Sequence, residues 1–270
     1  VDLSNHVCSA LSALVRWGCA NGWLLQTSEM LLNDLRKMGK RKVKKAGESN
    51  MYVDPSEIPS HADVNEVAKQ ASKVSNIWWY ELMFNLAAYS GLRFGEICDL
   101  DIDDIDLKNR KIRVDYQCLS VEGKKSRELP KWDTQRVTVF PAETPSGYKL
   151  LENLKKRIKE LKALKETPFI QDGSQRKLLF PNRNGGWLCP SSFGSRIRRP
   201  AQELAGWKKT DDGDFLWSFH SLRHVFCTYY FVDLKKDITD LRIAAGHASY
   251  LTTIQMYVGN VEGALERLNS

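Results

Sequence analysis

The chain has 270 residues, enough for one large domain or two smaller ones, and 42% of them are hydrophobic, ample for a packed core. A formal net charge of +7 and a pI near 9.0 point to a polyanionic partner. No apolar run approaches the roughly 18 residues of a membrane span and no secretory signal pattern opens the chain, so no membrane partner is expected. The six cysteines (Cys8, Cys19, Cys98, Cys118, Cys189, Cys227) include no CxxC pair. They offer no zinc-ligand spacing and read as reduced thiols of a cytosolic protein.

The chain opens in mid-helix with SNHVCSALSALVRWGCANGW, as a fragment lacking upstream residues would. Residues 5–20 carry a helical stripe of Val7, Leu11, Leu14, Val15 and Cys19, and a second helix is expected from Thr27 or Ser28 to about Met38. Residues 39–59 combine a basic, glycine-containing stretch with Pro55 and Pro59 and lack an apolar period, so they read as an interdomain linker. Residues 1–38 are then one small helical unit and 60–270 a larger domain.

A helix is expected from Ser60, burying Val64, Val67, Ala68 and Ala71. The stretch NIWWYELMFNLAAYS (76–90) is apolar nearly all round, which places it at the centre of a core, with Gly91 as its end. Arg93 follows at once. The ordinary explanation of a charge there is an ion pair with Glu96 or a downstream aspartate. The run Asp99 to Asp106 lacks the glycine and closing glutamate of a calcium loop, so no metal site is expected.

KIRVDYQCL (111–119) alternates as a strand, and QRVTVF (135–140) alternates with Val137 and Val139 on one face. Between them EGKKSRELPKWDT reads as a polar connection bearing Lys124, Lys125 and Lys131, which gives a small antiparallel sheet. A helix over about 146–165 sets Leu150, Leu154, Ile158 and Leu161 against a lysine-rich face. Residues 182–186 form a turn, and Pro190 opens a helix through Leu204. Basic residues cluster at 36–45, at 155–165 and at Arg196, Arg198 and Arg199, apart from the aspartate run, as a phosphate-tracking face requires.

From Ser218 to Tyr257 the chain concentrates His220, Arg223, His224, His247 and Tyr257, including three of its five histidines. His220 and Arg223 are three apart and share a helical face. A second helix, Ile238 to Ala245, ends at Gly246, and His247 follows. Such a set is rich in phosphate ligands. Arginine presents a planar fork to two phosphate oxygens. Two forks can neutralise a pentavalent phosphorane as its charge develops. A tyrosine phenol can attack phosphorus to form a covalent intermediate, and a lysine or histidine can protonate the leaving 5′ oxygen.

Arg93 in GLRFGEICDL, His220 and Arg223 in HSLRH, and His247 and Tyr257 in AAGHASYLTTIQMY resemble the three signature boxes of the tyrosine recombinase (phage integrase) family, in the family's order. LPKWDTQRVTVFP resembles the lysine box, with Lys131 the best match and Lys124 or Lys125 the alternatives; Trp132 stands where the family has threonine. The interval from His247 to Tyr257 is one residue longer than the commonest in the family. The resemblance covers about residues 60–260.

It implies a mainly α catalytic domain with a small antiparallel β-sheet, preceded by the C-terminal part of a helical core-binding domain, the two clamping duplex DNA. Arg93, Arg223, His220 and His247 would hold the scissile phosphate. Tyr257 would attack it to leave a 3′-phosphotyrosyl link, and Lys131 would protonate the departing 5′-hydroxyl, with neither metal nor cofactor. Integration or excision of a mobile element by site-specific recombination is the implied activity. It would proceed in a homotetramer on paired DNA sites, in a bacterial cytoplasm or nucleoid, from protomers that are monomers free in solution. The tail VEGALERLNS would dock on a neighbour. Type IB topoisomerase-like relaxation of DNA, or a non-catalytic helical DNA-binding module, are the alternative readings.

Overall fold

The computed structural model describes residues 58–121, 123–131, 135–164 and 176–247. The helices expected before residue 39, nearly all of the basic linker, and Tyr257 with its tail lie outside the described residues.

Helix α1 (His61–Ser75) starts at a reciprocal cap: the Ser60 hydroxyl accepts from the Asp63 N–H, and the Asp63 carboxylate accepts from the Ser60 N–H. Its buried face is Val64, Val67, Ala68 and Ala71, the stripe expected from the spacing. Helix α2 (Trp79–Ser90) is buried on nearly every side and packs against α1 and against α7 (Ser221–Thr228), so it is the central helix of the core. It ends at Gly91, where φ is +67° and an added Cβ would lie 2.5 Å from the Phe226 ring. Only glycine lets α7 approach this turn.

Helix α3 (Phe94–Asp99) follows, then a 3₁₀ turn (Ile102–Asp104) whose N-terminus is capped reciprocally: the Asp101 carboxylate accepts from the Asp103 N–H and the Asp104 carboxylate from the Asp101 N–H. The buried Asp99 carboxylate accepts from Arg127, Arg176 and the Trp187 indole. Several carboxylates of the aspartate run thus serve as caps and ion-pair partners. Among the described residues no three potential metal-ligating groups converge, and Cys98, Cys118 and Cys189 are free thiols.

The β region departs from the sequence expectation. Residues 111–119 do not form one strand but two, β2 (Lys111–Val114) and β3 (Gln117–Val121), which belong to different sheets. Strand β1 (Ile105–Asp106), β2 and β5 (Arg136–Val139) form one antiparallel sheet in the order β1-β2-β5. Strands β3 and β4 (Lys124–Glu128) form a separate two-stranded ribbon. The expected polar connection therefore contains a strand. KKSRE has no apolar alternation because β4 buries neither face, so periodicity could not reveal it.

Helix α4 (Leu150–Ala163) buries Leu150, Leu154, Ile158 and Leu161 as expected. Pro190 opens a helical run, α5 (Pro190–Phe193), a π turn (Gly194–Arg198) and α6 (Arg199–Leu204). Helix α7 passes into a second π turn (Tyr229–Asp233), and α8 (Ile238–Ala245) is capped by Asp237 and stopped by Gly246. The architecture is mainly helical with small antiparallel sheets, the expected fold class. No helix among the described residues is long and apolar enough to cross a membrane.

Candidate functional site

The site is built around the C-terminal end of α8. The last carbonyls of a helix have no partner within it. Gly246, at φ +66°, turns the chain so that its own N–H and that of His247 bond back to the carbonyls of Ile243 and Arg242. The next three carbonyls each receive a guanidinium. Arg136 Nε donates to Ala244 O at 2.9 Å, Arg223 Nη2 donates to Ala245 O, and Arg93 Nη2 donates to Gly246 O at 3.1 Å. Cations suit this end of a helix, where the backbone dipole is negative.

Each arginine comes from a different element. Arg93 precedes α3, and its backbone N–H and Nη1 both bond the Glu96 carboxylate, so the expected Arg93–Glu96 pair forms. Arg223, on α7, is 1% exposed and also donates to the Gly91 carbonyl. Arg136, at the start of β5, puts Nη1 on Glu96 Oε1 at 2.8 Å and Nη2 on Oε2 at 2.7 Å, a two-point fork in the protein interior. Burial by itself would raise the Glu96 pKa. The hydrogen bonds and charge of Arg136, with those of Arg93, outweigh it and hold the carboxyl down at about 2. Burial, with the charge of Arg93, lowers the Arg223 pKa to about 10, so that the guanidinium stays charged at neutral pH.

The histidines lie beside this cluster. His247 is 5% exposed, and burial together with Arg223, Arg93 and Arg136 lowers its pKa to about 3. His224 is lowered to about 4 by burial, His220 and Arg223. His220 stands at the N-terminus of α7 with its ring 5.5 Å from that of His224, edge to face. The residue is exposed, yet its ring is desolvated enough that burial, then Arg223, Arg93 and Lys131, lower its pKa. These imidazoles are neutral at pH 7, next to fixed positive charge.

Arg93, Arg223, His220 and His247 are thus brought together from three stretches of chain. Lys131 is exposed and near enough to influence the His220 imidazole. Of the alternatives, Lys125 donates its Nζ to the Trp187 carbonyl at 2.8 Å, and Lys124 is exposed on β4. Tyr257 and the neighbouring Tyr250 lie outside the described residues. Arg136 was missed by the sequence reading. The alternation of QRVTVF is real, but the buried face is Arg136 and Thr138, with Val137 49% exposed. An arginine in phase with an inward threonine was the available signal.

The phage integrase family profile matches residues 60–262. The tyrosine recombinase XerC of Alcanivorax borkumensis is 29% identical over 167 residues, covering 62% of this chain and 43% of that protein. XerC of Bifidobacterium longum is 28% identical over 216 residues, 80% of this chain and 52% of that protein. The chain thus spans about half the length of the curated relatives it matches. Among solved structures, the Tn1549 transposon integrase in complex with circular intermediate DNA is similar with a TM-score of 0.62 at 19% identity, over 96% of this chain and 85% of that one. The XerA recombinase is similar with a TM-score of 0.53 at 18% identity, over 96% and 83%. At these identities the likeness is one of fold, a tyrosine recombinase catalytic domain. With well over half of its residues inside the family profile, the chain belongs to the phage integrase family of tyrosine recombinases.

Proposed function

We propose that the chain is a site-specific DNA recombinase that breaks and rejoins duplex DNA through a 3′-phosphotyrosyl intermediate, without metal or cofactor. The observation that carries this reading is the gathering of Arg93 and Arg223 beside neutral His247 and His220 at one helix end. A scissile phosphate there would meet two guanidinium forks, which stabilise the charge that develops on the phosphorane oxygens. Tyr257 attacks phosphorus, the bond to the 5′ oxygen breaks, and Lys131 gives that oxygen a proton. Its charge, felt by the His220 imidazole, supports Lys131 in this role. A neutral, exposed His220 is suited to accept the phenol's proton.

Strand exchange between two duplex sites breaks four strands and so calls for four nucleophiles, which fits a homotetramer on paired sites assembled from free monomers. The similarity to proteins named tyrosine recombinases favours this over DNA relaxation by a single protomer. The bacterial relatives fit action in a bacterial cytoplasm or nucleoid. The arginines' convergence on one point disfavours a purely DNA-binding module, which needs basic side chains spread along the backbone. Residues 1–38 are proposed as part of a core-binding domain and 39–59 as a basic linker.

Arg93→Lys and Arg223→Lys test the reading, using a nicked suicide duplex recovered by covalent capture from a random-sequence pool. Each variant keeps the charge and loses the fork. Adduct formation should slow by about a hundredfold or more, with DNA affinity changed only a few-fold. Near-parental cleavage by both variants would show that these arginines are ordinary structural partners.

A further inference from the structure

Glu96 lies between two arginines that it does not treat alike. Both of its oxygens are held by the parallel fork of Arg136, at 2.8 and 2.7 Å, whereas the Arg93 side chain reaches only Oε1. Arg136 is 8% exposed and Glu96 1%, so their charges are compensated by each other and not by water. The Arg93 side chain is 19% exposed, at the edge of the same cluster. The third donor of Arg136, Nε, bonds Ala244 O at 2.9 Å, and its stem runs beneath Gly246, where an added Cβ would lie 2.8 Å from Cδ. One buried side chain therefore touches both the carboxylate beside Arg93 and the helix end that carries His247.

We infer that Arg136 is a positioning residue of the cleavage site: by taking up the charge of Glu96 it leaves Arg93 net positive toward the phosphate, and by bonding α8 it fixes the backbone before His247. The inference rests on the proposed roles of Arg93 and His247 in holding the phosphate. Without the Arg136 cation, Glu96 would have Arg93 as its nearest counter-ion, drawing its fork inward and cancelling its charge where the phosphorane forms. In a desolvated setting such cancellation is felt strongly. A merely structural arginine predicts that cleavage follows thermal stability through both the loss and any recovery, since neutralising Glu96 also relieves an unpaired buried charge. A charge-balancing arginine predicts that cleavage recovers beyond the change in stability, since removing the carboxylate charge releases Arg93.

The test compares adduct formation by the full chain on the captured suicide duplex, with thermal unfolding and DNA affinity measured in parallel. Arg136→Gln should slow cleavage by about a hundredfold with affinity within a few-fold of the parent. Glu96→Gln combined with Arg136→Gln should recover at least about tenfold of that loss. Arg136→Lys, which keeps the charge and covers the case in which the glutamine variant does not fold, should stay within about tenfold of the parent. Parental rates for Arg136→Gln, a double variant no faster than the single, or a hundredfold loss in folded Arg136→Lys would each overturn the inference. Failure of the parent itself to form an adduct would instead remove the recombinase reading on which it stands.

Discussion

Glu96 accepts four hydrogen bonds, two from Arg93 and two from Arg136, and its folded-state pKa of about 2 lies below the ordinary value of 4.5. A depressed carboxylate pKa contributes stability that is fully present above about pH 4.5 and is lost as pH falls toward 2. The whole contribution is on the order of 3 kcal/mol, of which about 2 kcal/mol should be gone by pH 3. Urea unfolding at pH 7 and pH 3 should show the parent losing that much more than Glu96→Gln. Equal acid losses in the two proteins would mean that the carboxylate is not held down in the folded state. At this scale the Arg93–Glu96 pair was legible because its partners are three residues apart, within one turn. Arg136 was not, since its partner lies forty positions away and only the strand pairing brings it inward.

The end of α8 is where separate elements become one site. Its final carbonyls are held by guanidiniums from three stretches of chain, so its position depends on α7, β5 and the turn before α3. Gly246 makes this possible twice over, by its φ of +66° and by leaving room for the Arg136 stem. Gly246→Ala should therefore destabilise the protein by about 1–3 kcal/mol, read as a shift in the urea midpoint at constant slope. A change within about 0.5 kcal/mol would show that the turn relaxes freely. The stop at Gly246 and the stripes of α1 and α4 could be read from sequence, because local conformation and a 3.6-residue period determine them. Strand β4 could not, since it buries none of its residues and so imposes no apolar pattern on them.

For the molecule as a whole, three motif boxes scattered over more than 160 residues correspond to one fold, and the family match spans all of them. The family that the boxes resemble was enough to read the fold class. The electrostatics were not readable: the histidine pKa values fall only when the fold buries the rings next to arginine charge. The proposed chemistry converges on a single phenol. Tyr257→Phe keeps the ring and removes the nucleophile, so the variant should bind DNA as the parent does and form no covalent adduct on the suicide duplex. Tyr250→Phe, three residues after His247, should still form it. Loss of the adduct in Tyr257→Phe alone is the predicted result; an adduct that survives Tyr257→Phe would contradict it.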